Sequence, residues 1–194
     1  MENPDLLANA IRNGSLATLP PSELAPERLT VRNAFGNTPL HHAAIGGHLD
    51  QISPDLLTVE ALSSRNNSGI TVFHLAAAHG HRQQISAAFL TAENVALKNL
   101  GGESVLHVAA FNGHLDQLPA GLLTAAALRD STSSGDTVFH AATISGHLGQ
   151  IPARFAPTTI SSWRARAASR RSTPPPRRAS STRFPRRNSP SNCC

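Results

Sequence analysis

The sequence predicts an all-α repeat solenoid, and three observations carry that expectation. A block of residues recurs four times at a spacing of 33. Within each copy the apolar residues fall at the i, i+3, i+4 spacing of one helical face. Helix-starting and helix-stopping residues bracket every copy at the same offsets.

The first unit, about 3–35, is degenerate. Leu7, Gly14, Leu16, Leu19 and Leu24 stand 33 residues before Leu40, Gly47, Leu49, Ile52 and Leu57, but no Thr-x-x-His precedes them. Terminal units of repeat arrays are commonly atypical in this way. The second unit, 36–68, opens with Gly36-Asn37-Thr38-Pro39-Leu40-His41-His42-Ala43-Ala44. Thr38 suits an N-cap and Pro39 the first helical position. Leu40, Ala43 and Ala44 then share a face on which alanine allows close helix approach. Gly47 stops the helix, and Leu49, Ile52, Leu56 and Leu57 form a second apolar set.

The third unit, 69–101, repeats this as Gly69-Ile70-Thr71-Val72-Phe73-His74-Leu75-Ala76-Ala77, and the fourth, 102–134, as Gly102-Glu103-Ser104-Val105-Leu106-His107-Val108-Ala109-Ala110. The last, 135–155, opens with Gly135-Asp136-Thr137-Val138-Phe139-His140-Ala141-Ala142-Thr143. Gly-His follows in phase at residues 47, 80, 113 and 146, and Gln at 51, 84, 117 and 150. No unit can bury its apolar faces alone, so stacking must complete the core.

These residues resemble the ankyrin repeat, in a bacterial-type variant whose Gly-His is followed by Leu-Asp-Gln-Ile-Pro-like runs. The T-P-L-H-x-A-A and G-H motifs carry the resemblance over residues 3–155. It implies a solenoid of one cap unit and four full repeats. The family's second helix is usually continuous. Here Pro54, Pro119 and Pro152, with Pro20-Pro21 in the first unit, fall one turn into it, and an interior proline costs about 3 kcal/mol. A short turn at 49–52, a break, and a restart near Thr58, Thr91 and Thr124 are expected. The 69–101 unit, with Ser86-Ala87 at that place, is expected to stay continuous.

Ten histidines invite a metal or catalytic reading. Eight of them fill two repeated slots, 41/74/107/140 and 48/81/114/147, and only His42 and His79 stand outside. In the ankyrin family the first slot braces the turn through the Thr and loop backbone. No phosphate loop, carboxylate pair or Ser/His/Asp arrangement occurs in a supporting context, so neither catalysis, a cofactor nor a metal is expected. The resemblance implies instead a scaffold that binds another protein through its loop tips and first-helix face. Slot by slot this places Phe35, Asn37, Ser68, Ile70, Glu103 and Asp136 on the loops. It places Ile45, Ala78, Phe111 and Ile144 on the helices, with His79, Asn112 and Ser145 beside them. Ile45, Phe111 and Ile144 form a row that fits a contact surface; the same row can instead pack between repeats.

Composition agrees with a non-membrane, reduced protein. The chain has 194 residues, 40% apolar, with 4% aromatics and one Trp. No apolar run approaches the ~18 residues of a membrane span. The acidic start Met1-Glu2-Asn3-Pro4-Asp5 resembles no secretory signal, and a cytoplasmic location is expected. Cys193 and Cys194 are the only cysteines and make no disulfide framework.

The net charge of +5 hides a partition. Residues 1–155 carry 8 basic and 12 acidic groups, a balance of −4, whereas residues 156–194 carry 9 Arg and no acid. At face value this Arg/Ser/Pro-rich tail is disordered and suits nucleic acid or another acidic surface. A sharper reading joins the last base of each codon to the first two of the next. The tail then permits Gly at slot 168, Thr-Pro-Leu-His at 170–173, Ala-Ala at 175–176 and Gly at 179. Leu-Asp-Gln-Ile-Pro follows at 181–185. Each slot lies 33 beyond its counterpart in the preceding unit; only slot 180 cannot be His. The tail reads as a frame-shifted further repeat, with the shift near Phe155–Pro157. Its charge therefore argues for no more than weak, non-specific contact with nucleic acid. The 135–155 unit, without a polar cap after it, is expected to expose Ile144, Leu148 and Phe155 and to fray or self-associate.

Overall fold

A computed structural model describes residues 4–15 and 25–155. Residues 1–3, 16–24 and 156–194 lie outside the described residues. So do Leu16, Leu19, Leu24 and Pro20-Pro21 of the first unit, together with the tail in either of its readings.

Among the described residues the chain is helical, with no strand and only the isolated bridges Lys98–Ser104 and Ser131–Thr137. Helix α1 (Pro4–Arg12) begins the first unit and α2 (Pro26–Leu29) ends it. The units that follow repeat one pattern. An eight-residue helix comes first: α3 (Pro39–Gly46), α5 (Val72–His79), α7 (Val105–Asn112) and α9 (Val138–Ser145). Two 3-10 turns follow, as at Leu49–Gln51 and Pro54–Leu56. A short helix closes three of the units: α4 (Val59–Leu62), α6 (Ala92–Val95) and α8 (Ala125–Arg129).

The long helices stack in chain order, α1 on α3, α3 on α5, α5 on α7 and α7 on α9. The repeated apolar slot is their seam. Leu40, Phe73 and Leu106 are 1%, 1% and 2% exposed, and Phe139 is 8% exposed. Ala43, Ala76, Ala109 and Ala142 are buried beside them, small enough for the helices to approach closely. Each long helix stops at a left-handed glycine, Gly47 (φ 75°) and its copies, a conformation costly for residues with a Cβ. Gly14 (φ 68°) ends α1 in the same way, so the degenerate unit keeps the stop signal. Against these glycines lies the second histidine slot. A Cβ built on Gly14, Gly47, Gly80 or Gly113 would fall 2.7–2.9 Å from the ring of His48, His81, His114 or His147 in the next unit.

The broken second layer follows the expected restarts. Thr58, Thr91 and Thr124 cap α4, α6 and α8, their hydroxyls accepting from the backbone N–H of Ala61, Asn94 and Ala127 at 3.2, 3.2 and 3.1 Å. The 69–101 unit departs from expectation. It is not continuous but breaks between the 3-10 turns Arg82–Gln84 and Ala87–Phe89, without any proline. Ile85 there is extended (φ −96°, ψ 125°) and buried, as are its equivalents Ile52, Leu118 and Ile151. Burying that slot against the neighbouring units requires the extended backbone, and Ser86 Oγ supports the next turn by accepting from Ala88 N–H. Proline is compatible with the break rather than its cause.

Candidate functional site

Polar side chains close the loops between units. Asn33 Oδ1 accepts from the N–H groups of Phe35 and Asn37, both at 3.0 Å. Asn66 does the same for Ser68 and Ile70, and Asn99 for Gly101 and Glu103. Thr132 Oγ1 takes the N–H of Asp136 at 3.1 Å in the last loop. The sequence reading missed these braces, although Asn33, Asn66 and Asn99 recur at the repeat period. A second ladder was also missed. The Arg32 guanidinium donates to the carbonyl of Arg65, Arg65 to the carbonyl of Lys98, and Lys98 Nζ to Ser131 O at 2.9 Å. Lys98 also pairs with Asp130 at 2.8 Å. These cations hold loop to loop.

The first histidine slot joins each helix start to the next loop. His41 Nδ1 lies 2.8 Å from Thr38 Oγ1 and accepts the Thr38 N–H at 3.2 Å. With Nδ1 an acceptor, the proton sits on Nε2, which donates to Ile70 O at 3.1 Å. His74 and His107 repeat this with Thr71 and Glu103, and with Ser104 and Asp136. Burial lowers the pKa of all three, so the rings are neutral. Of the two remaining histidines, His42 is buried between Arg12 and Asn33. His79 is exposed and stacks on His81, with ring centroids 6.2 Å apart. The described residues hold no group of three His, Cys, Asp or Glu side chains arranged for a metal.

On this frame the thirteen sequence-derived positions divide. Phe35 (73% exposed) and Phe111 (54%) stand out as large apolar side chains in solvent. Ser68, His79, Glu103 and Asn112 are exposed, while Asn37, Ile45, Ile70, Ala78, Asp136, Ile144 and Ser145 are half-buried. Several have structural partners. Asn37 Oδ1 accepts from Asn66 Nδ2 at 2.8 Å, and Ser145 Oγ donates to Ala141 O and Ala110 O. Ile70, Glu103 and Asp136 offer their carbonyls to the histidines above.

Four of the positions come together. Glu103 and Asp136 from successive loops, and Phe111 and Ile144 from α7 and α9, line one open cavity of about 340 Å³, floored by His107 and Ala141. Its wall is apolar along the helices and carries two carboxylates at the loops. A second cavity of about 430 Å³ lies between α2, the turn at Pro54–Leu56 and α4, lined by Leu29, Arg32, Asp55 and Glu60 among others. None of the thirteen positions lines it.

The ankyrin repeat family model matches residues 35–62, the stretch from the tip of the first loop through α3 to α4. That stretch is similar to an ankyrin repeat. No curated protein matches the chain. Ankyrin repeats generally mediate protein–protein interaction and are typically non-enzymatic. No helix among the described residues is long and apolar enough to cross a membrane.

Proposed function

We propose that this protein is a non-catalytic scaffold of one cap unit and four full ankyrin repeats over residues 3–155, which binds a partner protein along its loop tips and first-helix face. The observation that supports this best is the cavity shared by Phe111, Ile144, Glu103 and Asp136. Loop and helix positions from two successive units line a single open space there, with apolar Phe111 and Ile144 and acidic Glu103 and Asp136 in its lining. An aromatic that is 54% exposed on a rigid helix beside such a space is an anchor that loses little conformational entropy on binding. The braces formed by Asn99 and Thr132 hold the two flanking loops in place before any partner arrives, which lowers the ordering cost of association. A partner segment presenting an apolar side chain next to a basic one matches this chemistry.

The test is partner affinity in variants of the full chain. Phe111→Ala should weaken binding at least tenfold with an unchanged melting temperature, Ile45→Ala should also weaken it, and removal of residues 157–194 should leave affinity unaltered. Binding that vanishes with the tail and falls steeply with salt, as arginine–phosphate contacts do, would move the function to the tail.

A further inference from the structure

The slot that holds Leu49, Leu115 and Leu148 holds an arginine in the 69–101 unit, Arg82. Leu49 and Leu115 are fully buried, whereas Arg82 is half-buried with its Nε closed off from solvent. Among the described residues that Nε has no hydrogen-bond partner, and no carboxylate pairs with the guanidinium. The next residue is Asp50 or Asp116 in the flanking units but Gln83 here. The backbone of the slot departs in step. Gln84 and Gln150 each clamp the unit before them: the side-chain amide donates to a carbonyl (Gly47, Gly113), and its oxygen accepts the N–H of Leu49 or Leu115. Gln117 is the equivalent residue for Arg82. It is turned onto His114 of its own unit, with Nε2 3.4 Å from Nδ1, and its Oε1 accepts from no donor among the described residues, the N–H of Arg82 included. Gln51 takes the same pose towards His48, but the slot it would address, 16, lies outside the described residues. Arg82 therefore offers two donors, the backbone N–H that Gln117 leaves and the Nε–H.

We propose that Arg82 anchors a binding site for a carboxylate of an acidic partner segment, at the helix-stop edge between α5 and α7. A guanidinium whose Nε is buried carries a charge partly removed from water, and such charges are paired in folded proteins. A carboxylate takes the planar edge of a guanidinium through two parallel hydrogen bonds. Three imidazoles stand at the same edge. His81 adjoins Arg82 in the chain and stacks on His79, and the His114 ring lies 2.9 Å from a Cβ built on Gly80. Burial, and after it the neighbouring His79, His48 and His114, keep the His81 pKa below its ordinary 6.5. At neutral pH the guanidinium, not the ring beside it, therefore supplies the charge, and one guanidinium matches one carboxylate rather than a phosphate dianion. None of the residues lining the Phe111–Ile144 cavity belongs to this site, so it stands or fails separately from the loop-tip reading.

Nitrogen–proton correlation spectra of the full chain test the proposal, with a capped tri-glutamate peptide, sodium phosphate and sodium chloride as titrants at equal ionic strength. The peptide should shift the Arg82 backbone N–H and Nε–H resonances together, and saturably. Arg82→Leu installs the residue of the sister slots. It should keep or raise the melting temperature while weakening peptide binding, read at the backbone N–H of residue 82, at least tenfold. Arg82→Lys keeps the charge but loses the Nε–H and the planar edge, and should weaken binding at least threefold. Three results would overturn the proposal. One is a peptide response at residue 82 no larger than that of chloride. Another is binding unchanged in Arg82→Lys, which reduces the effect to general charge attraction. The third is phosphate binding at residue 82 more tightly than the peptide, which assigns the site to a phosphate group.

Discussion

His74 Nε2 lies 3.2 Å from the carbonyl oxygen of Glu103, 29 residues further along the chain and one unit away. The ring is 1% exposed, and its Nδ1 is engaged by Thr71. It thus ties a helix start to the next loop only while it is neutral at Nδ1. His41 and His107 do the same at the adjoining junctions. Burial holds the pKa of all three below the ordinary 6.5. The unfolded chain therefore takes up protons as pH falls through about 6.5, while the folded chain does not. Stability is full above that value and falls as pH drops below it, by at most ~1.4 kcal/mol per pH unit for each ring. Urea unfolding at pH 7.5 and 5.5 should show a clearly lower midpoint at 5.5, and His74→Gln should shallow the dependence. Equal midpoints would contradict neutral, load-sharing rings.

Leu106 and Phe111 sit on the same helix with opposite roles. Leu106 is 2% exposed in the seam, and its truncation to Ala should cost about 2–5 kcal/mol. Phe111 is 54% exposed, and its truncation should cost within about 0.5 kcal/mol. Chemical denaturation of the two variants separates them, and similar losses would mean that Phe111 packs between repeats.

Gly47 stands under the His81 ring, with only 2.8 Å between a built Cβ and the ring. Gly47→Ala must adopt a left-handed backbone, which costs roughly 1–2 kcal/mol, and must also displace the imidazole. Its thermal destabilisation should exceed that of Gly146→Ala, where a Cβ meets nothing within 4 Å among the described residues and the backbone cost remains. A matching loss at both sites would show that the ring moves aside freely.

Asn66 closes the second loop and reaches back to Asn37 in the first. Asn66→Ala should lower stability by about 1–2 kcal/mol through the orphaned N–H groups of Ser68 and Ile70. It should also speed their hydrogen exchange, which loss of a merely solvated side chain would not do.

The long helices were legible because Thr71, His74, Phe73 and Gly80 recur with their counterparts at one spacing, and each residue type has a local reason to be there. The break in the 69–101 unit was not legible at Ser86-Ala87. Its cause is the tertiary demand to bury Ile85, which overrides the local absence of proline. The loop positions were legible as a class, but their geometry was not. That Glu103, Asp136, Phe111 and Ile144 line one cavity depends on how two units stack, and the braces of Asn33, Asn66 and Asn99 depend on loop backbones that no spacing describes. The tail is legible only as codons, since residues 156–194 lie outside the described structure.

Site-specific photo-crosslinking tests the scaffold reading most directly. A photoreactive residue would replace Phe111 or Ile45 on the first-helix face, and Val59 or Glu60 on α4 as the comparison. Cross-links would be formed in the source cell, with and without residues 157–194. The scaffold reading predicts one defined partner adduct from positions 111 and 45, retained without the tail and lacking from positions 59 and 60. Adducts that arise only from α4, or that disappear with the tail, would contradict it.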